Sequence, residues 1–441
     1  MRVFFSVGEA SGDAYAAEIL KQLQPEALSF LRHKLAEFQH DAATATVEEL
    51  LELLKSDALG LDSLDIAELV MAFEEEYGVN VPDDLKMGIK ARQDLMNHIT
   101  AHIVGDARMT DISFQAVGGR RLREAGARIV ADSSHWGALG IVEALKVYPR
   151  VLGGFYRAKR EIKRGRPGLF VPIDFGYVNV LLARHAKNWG WKVLYFIPPG
   201  SWRKDKQGED LPKITDAIVT PFPWSADMLN EMGADAHFFG HPLKEMVARV
   251  PDVEERDGFA VLPGSRAHEI EQHVPVIAEA VKRLQGPIRI AVAPNIDEQK
   301  LRHAWIKWSD HEPIYSHSVY EVLKASRSGV VCSGTATLEA ALCGCPCVVL
   351  YRGGKVMELE YRLRRPKFEY MSLPNILLDR PLLKELIQWD ATPDALRAEL
   401  ELLHADGQRR SEVLSAFQEL SDALGATDCL ERTAELAKTL V

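Results

Sequence analysis

Cysteine is scarce in this chain: five residues in 441, Cys332, Cys343, Cys345, Cys347 and Cys429, too few and too unevenly spread for a disulfide framework. Cys343-Gly-Cys-Pro-Cys347 runs into apolar sequence with no histidine cluster beside it, as a zinc site would require. The expectation is small buried thiols and no metal. Long apolar runs are lacking too. No window approaches the roughly 18 uninterrupted apolar residues of a membrane span, and the opening Met-Arg-Val-Phe-Phe-Ser-Val-Gly-Glu has no room for an apolar leader, so a cytoplasmic protein is expected. Positive charge is not in excess, the net being −10, and nucleic acid is not an expected partner.

The negative charge is not evenly spread. Residues 24–107 hold 6 basic and 17 acidic residues, net −11, whereas the rest of the chain holds 47 basic and 46 acidic. A composition break this sharp marks a separate module with its own electrostatic partner. At about 150 residues per domain, a chain of this length accommodates roughly three domains.

What is present outside that module is strand and helix alternation. Residues 3–7 read as a buried strand, followed by a tight turn through Gly8 and Gly12 and a helix over 14–23. The next plausible strand, 112–117, arrives only after the acidic segment, far too late for an uninterrupted Rossmann unit. Strands are then expected near 129 and at 169–173, 192–197, 217–219 and 237–239, with helices between them. A second series starts at 259–262 and continues through 288–292, 329–332 and 348–351, ahead of a mostly polar helical tail over 393–440. The expected fold class is α/β, two Rossmann-like domains facing a cleft, plus an inserted all-α four-helix bundle. The expected boundaries are 1–24 with 105–245, the insert at 25–104, a second domain at 246–425 and a terminal helix at 426–441.

The insert centres on Leu59-Gly-Leu-Asp62-Ser63-Leu64-Asp65, followed by Glu74-Glu75-Glu76 and Val81-Pro82-Asp83. A serine opening a helix whose Leu69, Val70 and Phe73 turn inward exposes its hydroxyl, and the helix dipole favours an attached phosphodiester. The competing reading is an ordinary N-cap before a solvated acidic face. The segment resembles the acyl-carrier-protein family. That resemblance implies 4'-phosphopantetheine on Ser63, with a phosphopantetheinyl transferase and acyltransferases as partners.

Eight further motifs stand in order: Ser6-Val-Gly8-Glu9-Ala-Ser11-Gly12-Asp13, Gly118-Gly119, Leu139-Gly-Ile-Val-Glu143-Ala-Leu145, Ile173-Asp174, Gly240-His241-Pro242, Leu262-Pro-Gly264-Ser265-Arg266, Ser333-Gly334-Thr335-Ala336-Thr337-Leu338-Glu339 and Leu373-Pro374-Asn375. Together, over nearly the full length left when the insert is set aside, they resemble the lipid-A-disaccharide synthase family of GT-B glycosyltransferases. The chain departs from that family after Ile173-Asp174. The family continues Ala-Pro-Asp-Phe-Asn, and here stands Phe175-Gly176-Tyr177-Val178-Asn179, without the second acid. It departs again at Pro199-Gly200-Ser201-Trp202-Arg203-Lys204, where the family has Ser-Val-Trp-Ala-Trp-Arg. Both departures fall on the acceptor side.

The Gly264-Ser265-Arg266 loop follows a strand and precedes a helix, so its backbone N–H groups and Arg266 can hold a pyrophosphate. Ser333, Gly334, Thr335 and Ala336 form a second such loop, with Thr335 and Thr337 offered to phosphate oxygens and Glu339 to ribose hydroxyls; helix capping is the alternative for both loops. No Asp-x-Asp occurs anywhere, so these dipoles and Arg266, not a metal ion, are expected to stabilise the leaving group. Asp174 is the candidate base for the acceptor hydroxyl, against a structural role capping the next turn. Glu9, Ser11 and Asp13 are expected beside the acceptor, and Asn375 to contribute from the second half.

Residues 139–166 carry eight basic side chains interleaved with Tyr148, Leu152, Phe155 and Tyr156. The readings are an anionic membrane surface, a solvated helix, or a dock for the acidic module. The resemblance implies inverting transfer of diacylglucosamine from a UDP-sugar lipid donor to a glycolipid phosphate acceptor, at the inner face of the cytoplasmic membrane. Homodimerisation stays open. The alternatives are a related UDP-sugar transferase or epimerase with another acceptor, and a non-catalytic acyl-carrier scaffold.

Overall fold

A computed structural model describes residues 2–7, 10–23, 113–133, 136, 141–293, 296–353 and 370–440. The chain divides into two compact units, 1–220 with 224–237 and 430–441, and 221–223 with 238–429. The inserted segment, Ser63 included, lies outside the described residues.

The first unit is built on seven parallel strands: β1 (Arg2–Val7), β2 (Ser113–Gly118), β3 (Arg128–Asp132), β4 (Leu169–Ile173), β5 (Lys192–Phe196), β6 (Ala217–Val219) and β7 (Ala236–His237), in the order β3-β2-β1-β4-β5-β6-β7. Helices cover both faces of such a sheet, so its central strands must be apolar throughout. Val3, Phe4, Phe5, Leu169, Phe170 and Val171 are accordingly buried to within 1 % of full enclosure. The pairing of β1 with β2, on either side of the insert, runs from Arg2 with Ser113 to Ser6 with Val117.

The second unit repeats the arrangement with six parallel strands: β8 (Asp257–Leu262), β9 (Ile288–Ala291), β10 (Ile314–Ser316), β11 (Ser326–Cys332), β12 (Cys347–Tyr351) and β13 (Glu385–Ile387), ordered β10-β9-β8-β11-β12-β13. Strands β10 and β13, three residues each at the sheet edges, fall below the length at which alternation is readable from sequence. The tail is three helices, Pro393–His404, Gln408–Ala423 and Cys429–Thr439. It is less polar in effect than in composition, because Leu396, Leu400, Leu403, Val413, Phe417 and Leu420 gather on buried faces. Residues 430–441 group with the first unit.

The five cysteines are free and buried. Burial pushes the Cys345 thiol up to about 12, which keeps it protonated and a poor ligand. Among the described residues no helix is long and apolar enough to cross a membrane.

Candidate active site

In both sheets the strand order reverses between the first and fourth strands of the unit, and at such a switch point the connections leave to opposite faces and open a crevice at the carboxyl edge. In the first unit the reversal lies between β1 and β4, where Val7 faces Ile173 in register. Asp174 is the next residue. It is exposed, with φ 47°, and Phe175 follows at φ 48°, so two successive non-glycine residues occupy the left-handed region. The Asp174 N–H donates to the Phe196 carbonyl at 3.2 Å. Its own carbonyl accepts the Asn179 side-chain amide at 3.0 Å and the Tyr195 hydroxyl at 3.0 Å. Phe175, not Asp174, is the N-cap of the helix Gly176–Asn188.

Two expectations on the β1 side change. The helix starts at Ala10, so Ser11, Gly12 and Asp13 belong to its first turn rather than to a loop; a glycine within a helix costs only about 1 kcal/mol, which the turn absorbs. Asp13 is buried, with its carboxylate accepting the Gly119 N–H at 2.6 Å and the Arg121 N–H at 3.0 Å. Burial raises its pKa and these N–H groups oppose the rise. Gly118 makes the approach feasible, since a Cβ there would stand 2.4 Å from Leu122 Cδ1 and 2.9 Å from the Asp13 carboxylate. Asp13 thus caps the helix Arg120–Glu124, and the Gly118-Gly119 pair serves that lock. Gly8 and Glu9 lie outside the described residues, as does the Ser11 side chain.

In the second unit the reversal lies between β8 and β11, where Leu262 faces Val331. The two glycine loops leave these neighbouring strands at one edge. Gly264 has φ 122° and Gly334 φ 139°, backbone that glycine adopts without strain. Gly334 and Thr335 are exposed, and a Cβ on Gly334 would meet nothing within 4 Å, so this loop can be approached closely.

The first loop is braced differently from the expectation of free N–H groups. Glu269, buried in the first turn of the helix Ala267–Val281, accepts the Ser265 N–H at 2.9 Å and the Arg266 N–H at 3.2 Å on one oxygen, and Arg266 Nη1 at 2.8 Å on the other. Those two amides are taken. The Arg266 side chain is half-buried and Ser265 is exposed. His273 ties this loop to the end of β12: its Nδ1 lies 2.7 Å from the Pro263 carbonyl, and Nε2 accepts the Arg352 N–H at 2.9 Å. Burial lowers the His273 pKa, and the neutral ring with Nδ1 protonated satisfies both bonds.

Thr337 and Asn375 also differ from expectation. The Thr337 hydroxyl is buried, donating to the Gly334 carbonyl at 2.8 Å and accepting the Leu373 N–H at 3.2 Å; it shapes the loop instead of facing a phosphate. Asn375 is buried, exchanging bonds with Leu383 at 2.7 and 2.9 Å and donating to Glu385 at 2.9 Å. Glu385 in turn accepts the Met371 and Ser372 N–H groups. Ser333 donates to the Met371 carbonyl at 3.3 Å. Glu339 is half-buried one turn into the helix Ala336–Leu342. In Gly240-His241-Pro242, His241 is the N-cap of the helix Pro242–Ala248, accepting the Leu243 N–H at 3.2 Å, and burial holds its pKa down to about 3.

The chain is similar to known proteins along most of its length. The lipid-A-disaccharide synthetase family pattern matches residues 93–439, and the phosphopantetheine attachment site pattern matches 56–99, a span that includes Ser63. The lipid-A-disaccharide synthase of Koribacter versatilis is 31 % identical over 342 residues, covering 73 % of this chain and 87 % of that protein. The synthase of Myxococcus xanthus is 31 % identical over 348 residues, covering 75 % and 90 %. The crystal structure of Acinetobacter baumannii MurG is a more distant likeness, with a TM-score of 0.44 and 12 % identity over 76 % of this chain and 94 % of that one; the fold read above does not rest on it. By the family match and by these relatives, the chain belongs to the lipid-A-disaccharide synthase family.

Proposed function

We propose that this protein transfers diacylglucosamine from UDP to diacylglucosamine 1-phosphate, with inversion at the anomeric carbon. The observation that carries the reading is the side-by-side opening of two glycine loops at the β8/β11 switch point. The second unit then holds the donor. The diphosphate meets the Gly334-Thr335 backbone, Ser265 and the Arg266 guanidinium, and Glu339 accepts from ribose hydroxyls. In the first unit Asp174 takes the proton of the acceptor hydroxyl. The deprotonated oxygen bonds to the anomeric carbon as the bond from that carbon to the diphosphate oxygen breaks, and UDP leaves with the electron pair. Arg266 and the loop dipoles stabilise the charge that develops there. Thr337, Asn375, Glu385 and His273 hold the loops in shape. Incubation of purified protein with the UDP-linked donor and its 1-phosphate acceptor, followed by product identification, tests this; UDP formation without a disaccharide product would reject the transfer.

The substrates are lipids, and the helix Ile141–Arg164 suits a lipid surface. Tyr148, Leu152 and Tyr156 are exposed at every fourth position, on one helix face, among exposed Arg150, Arg157 and Arg160. We assign this face to the anionic inner leaflet. Reversing the three arginines to glutamate is expected to abolish flotation with anionic vesicles and to spare turnover of detergent-dispersed substrate; undiminished flotation would free the face for another partner. On the insert, Ser63 is the proposed attachment residue. Coexpression with a phosphopantetheinyl transferase should add the mass of 4'-phosphopantetheine to its peptide and to no other, and an unshifted peptide would reduce the segment to a structural module.

A further inference from the structure

We infer that Asn179 and Tyr195 are positioning residues that pin Asp174 in its left-handed conformation, an inference that rests on the reading of Asp174 as the base. Left-handed backbone is sparsely populated by residues other than glycine, and Phe175, with its bulky ring, has less licence for it than Asp174. A free chain would relax to an extended or right-handed turn, and the carboxylate would swing with it. Here the conformation is over-determined, the condition under which such strain persists at functional sites.

Three bonds hold the Asp174 peptide. Its N–H reaches across to the Phe196 carbonyl at 3.2 Å, while its carbonyl is gripped from two elements, by Asn179 Nδ2 on the following helix and by the Tyr195 hydroxyl on β5, each at 3.0 Å. Asn179 Nδ2 also lies 2.9 Å from the Ser6 carbonyl on β1 and 3.1 Å from the Ile173 carbonyl on β4, so one amide ties the ends of both switch-point strands to the Asp174 turn. Both side chains are fully enclosed, and both donate to the backbone carbonyl of Asp174. Burial, helped by the charge of Asp174, pushes the Tyr195 pKa well up, so the hydroxyl stays a donor at any working pH. The two residues therefore act on the peptide of Asp174, and through it they aim the carboxylate.

The test is a double-mutant cycle on the full chain, read by UDP release. Tyr195→Phe removes one hydroxyl and keeps the ring. It is expected to lower kcat about tenfold, on the scale that sub-ångström misplacement of a reacting group produces, and to leave KM for the UDP donor within about twofold. In the Asp174→Asn background the same change is expected to cost nothing further, because the group it aims is gone. Wild-type kcat in Tyr195→Phe, or an equal loss in both backgrounds, would overturn the inference. Retained activity in Asp174→Asn alone would instead remove the base on which it rests. Asn179→Ala is expected to cost more than Tyr195→Phe, but it also unties β1 from β4, so the tyrosine variant decides.

Discussion

Replacing Asp174 with asparagine lowers kcat by about 10²- to 10⁴-fold, the range a positioned proton acceptor contributes, and leaves the fold intact. Asparagine is nearly isosteric with aspartate and tolerates left-handed backbone, and the bonds to Phe196, Asn179 and Tyr195 are made by the peptide of residue 174, so the variant keeps them. What it loses is the basic oxygen. KM for the UDP donor should hardly move, since the donor is assigned to loops of the second unit. Steady-state UDP release and a thermal melt check the two halves of this expectation. A variant that keeps more than a tenth of the parental kcat would take Asp174 out of the base role, and one that loses activity only because it no longer melts cooperatively would make the residue structural.

The second large effect is expected at Glu269, a residue outside any substrate-facing role. Its buried carboxylate holds two backbone N–H groups and the Arg266 guanidinium, so Glu269→Ala leaves the Pro-Gly-Ser-Arg turn without its internal acceptor. Losing the partner of buried donors costs about 1–3 kcal/mol, and the thermal midpoint should fall accordingly. Arg266 loses its brace at the same time, and kcat/KM is expected to drop by about 10²- to 10³-fold, comparable to removal of an oxyanion-type stabiliser. Arg266→Ala, whose side chain is partly exposed, should show a kinetic loss of similar size with a smaller change in melting. Equal melting losses in the two variants, with kcat/KM unchanged in both, would mean that the turn serves only the fold.

The contrast between Glu269 and Gly264 marks where sequence reasoning reaches. Gly264 announces itself, as a glycine after a buried apolar strand and before a helix has few uses other than positive φ. The same holds for Gly334 after β11, and the apolar runs of β1, β4, β8 and β12 are long enough to read as central parallel strands. Glu269 sits three residues past Arg266, a spacing typical of helix starts, and could have been found from that alone. Asn179, Tyr195, His273 and Glu385 had no such signal. Their partners lie on other elements, Asn179 reaching Ser6 across 173 positions and His273 reaching Arg352 across 79, and no periodicity encodes a contact of that range. The same limit explains Asp13 and Asn375. Polar residues in glycine-rich motifs read as ligand contacts, yet each is buried against backbone groups that only the folded chain brings to it.

The central claim is that the switch point of the second sheet holds a nucleoside diphosphate. Crystals of the full chain soaked with UDP test it most directly. The account expects the diphosphate against the exposed Gly334-Thr335 backbone, with the Arg266 guanidinium on a phosphate oxygen and the ribose within reach of Glu339. A diphosphate bound at any other edge of either sheet, with both glycine loops empty, would contradict it.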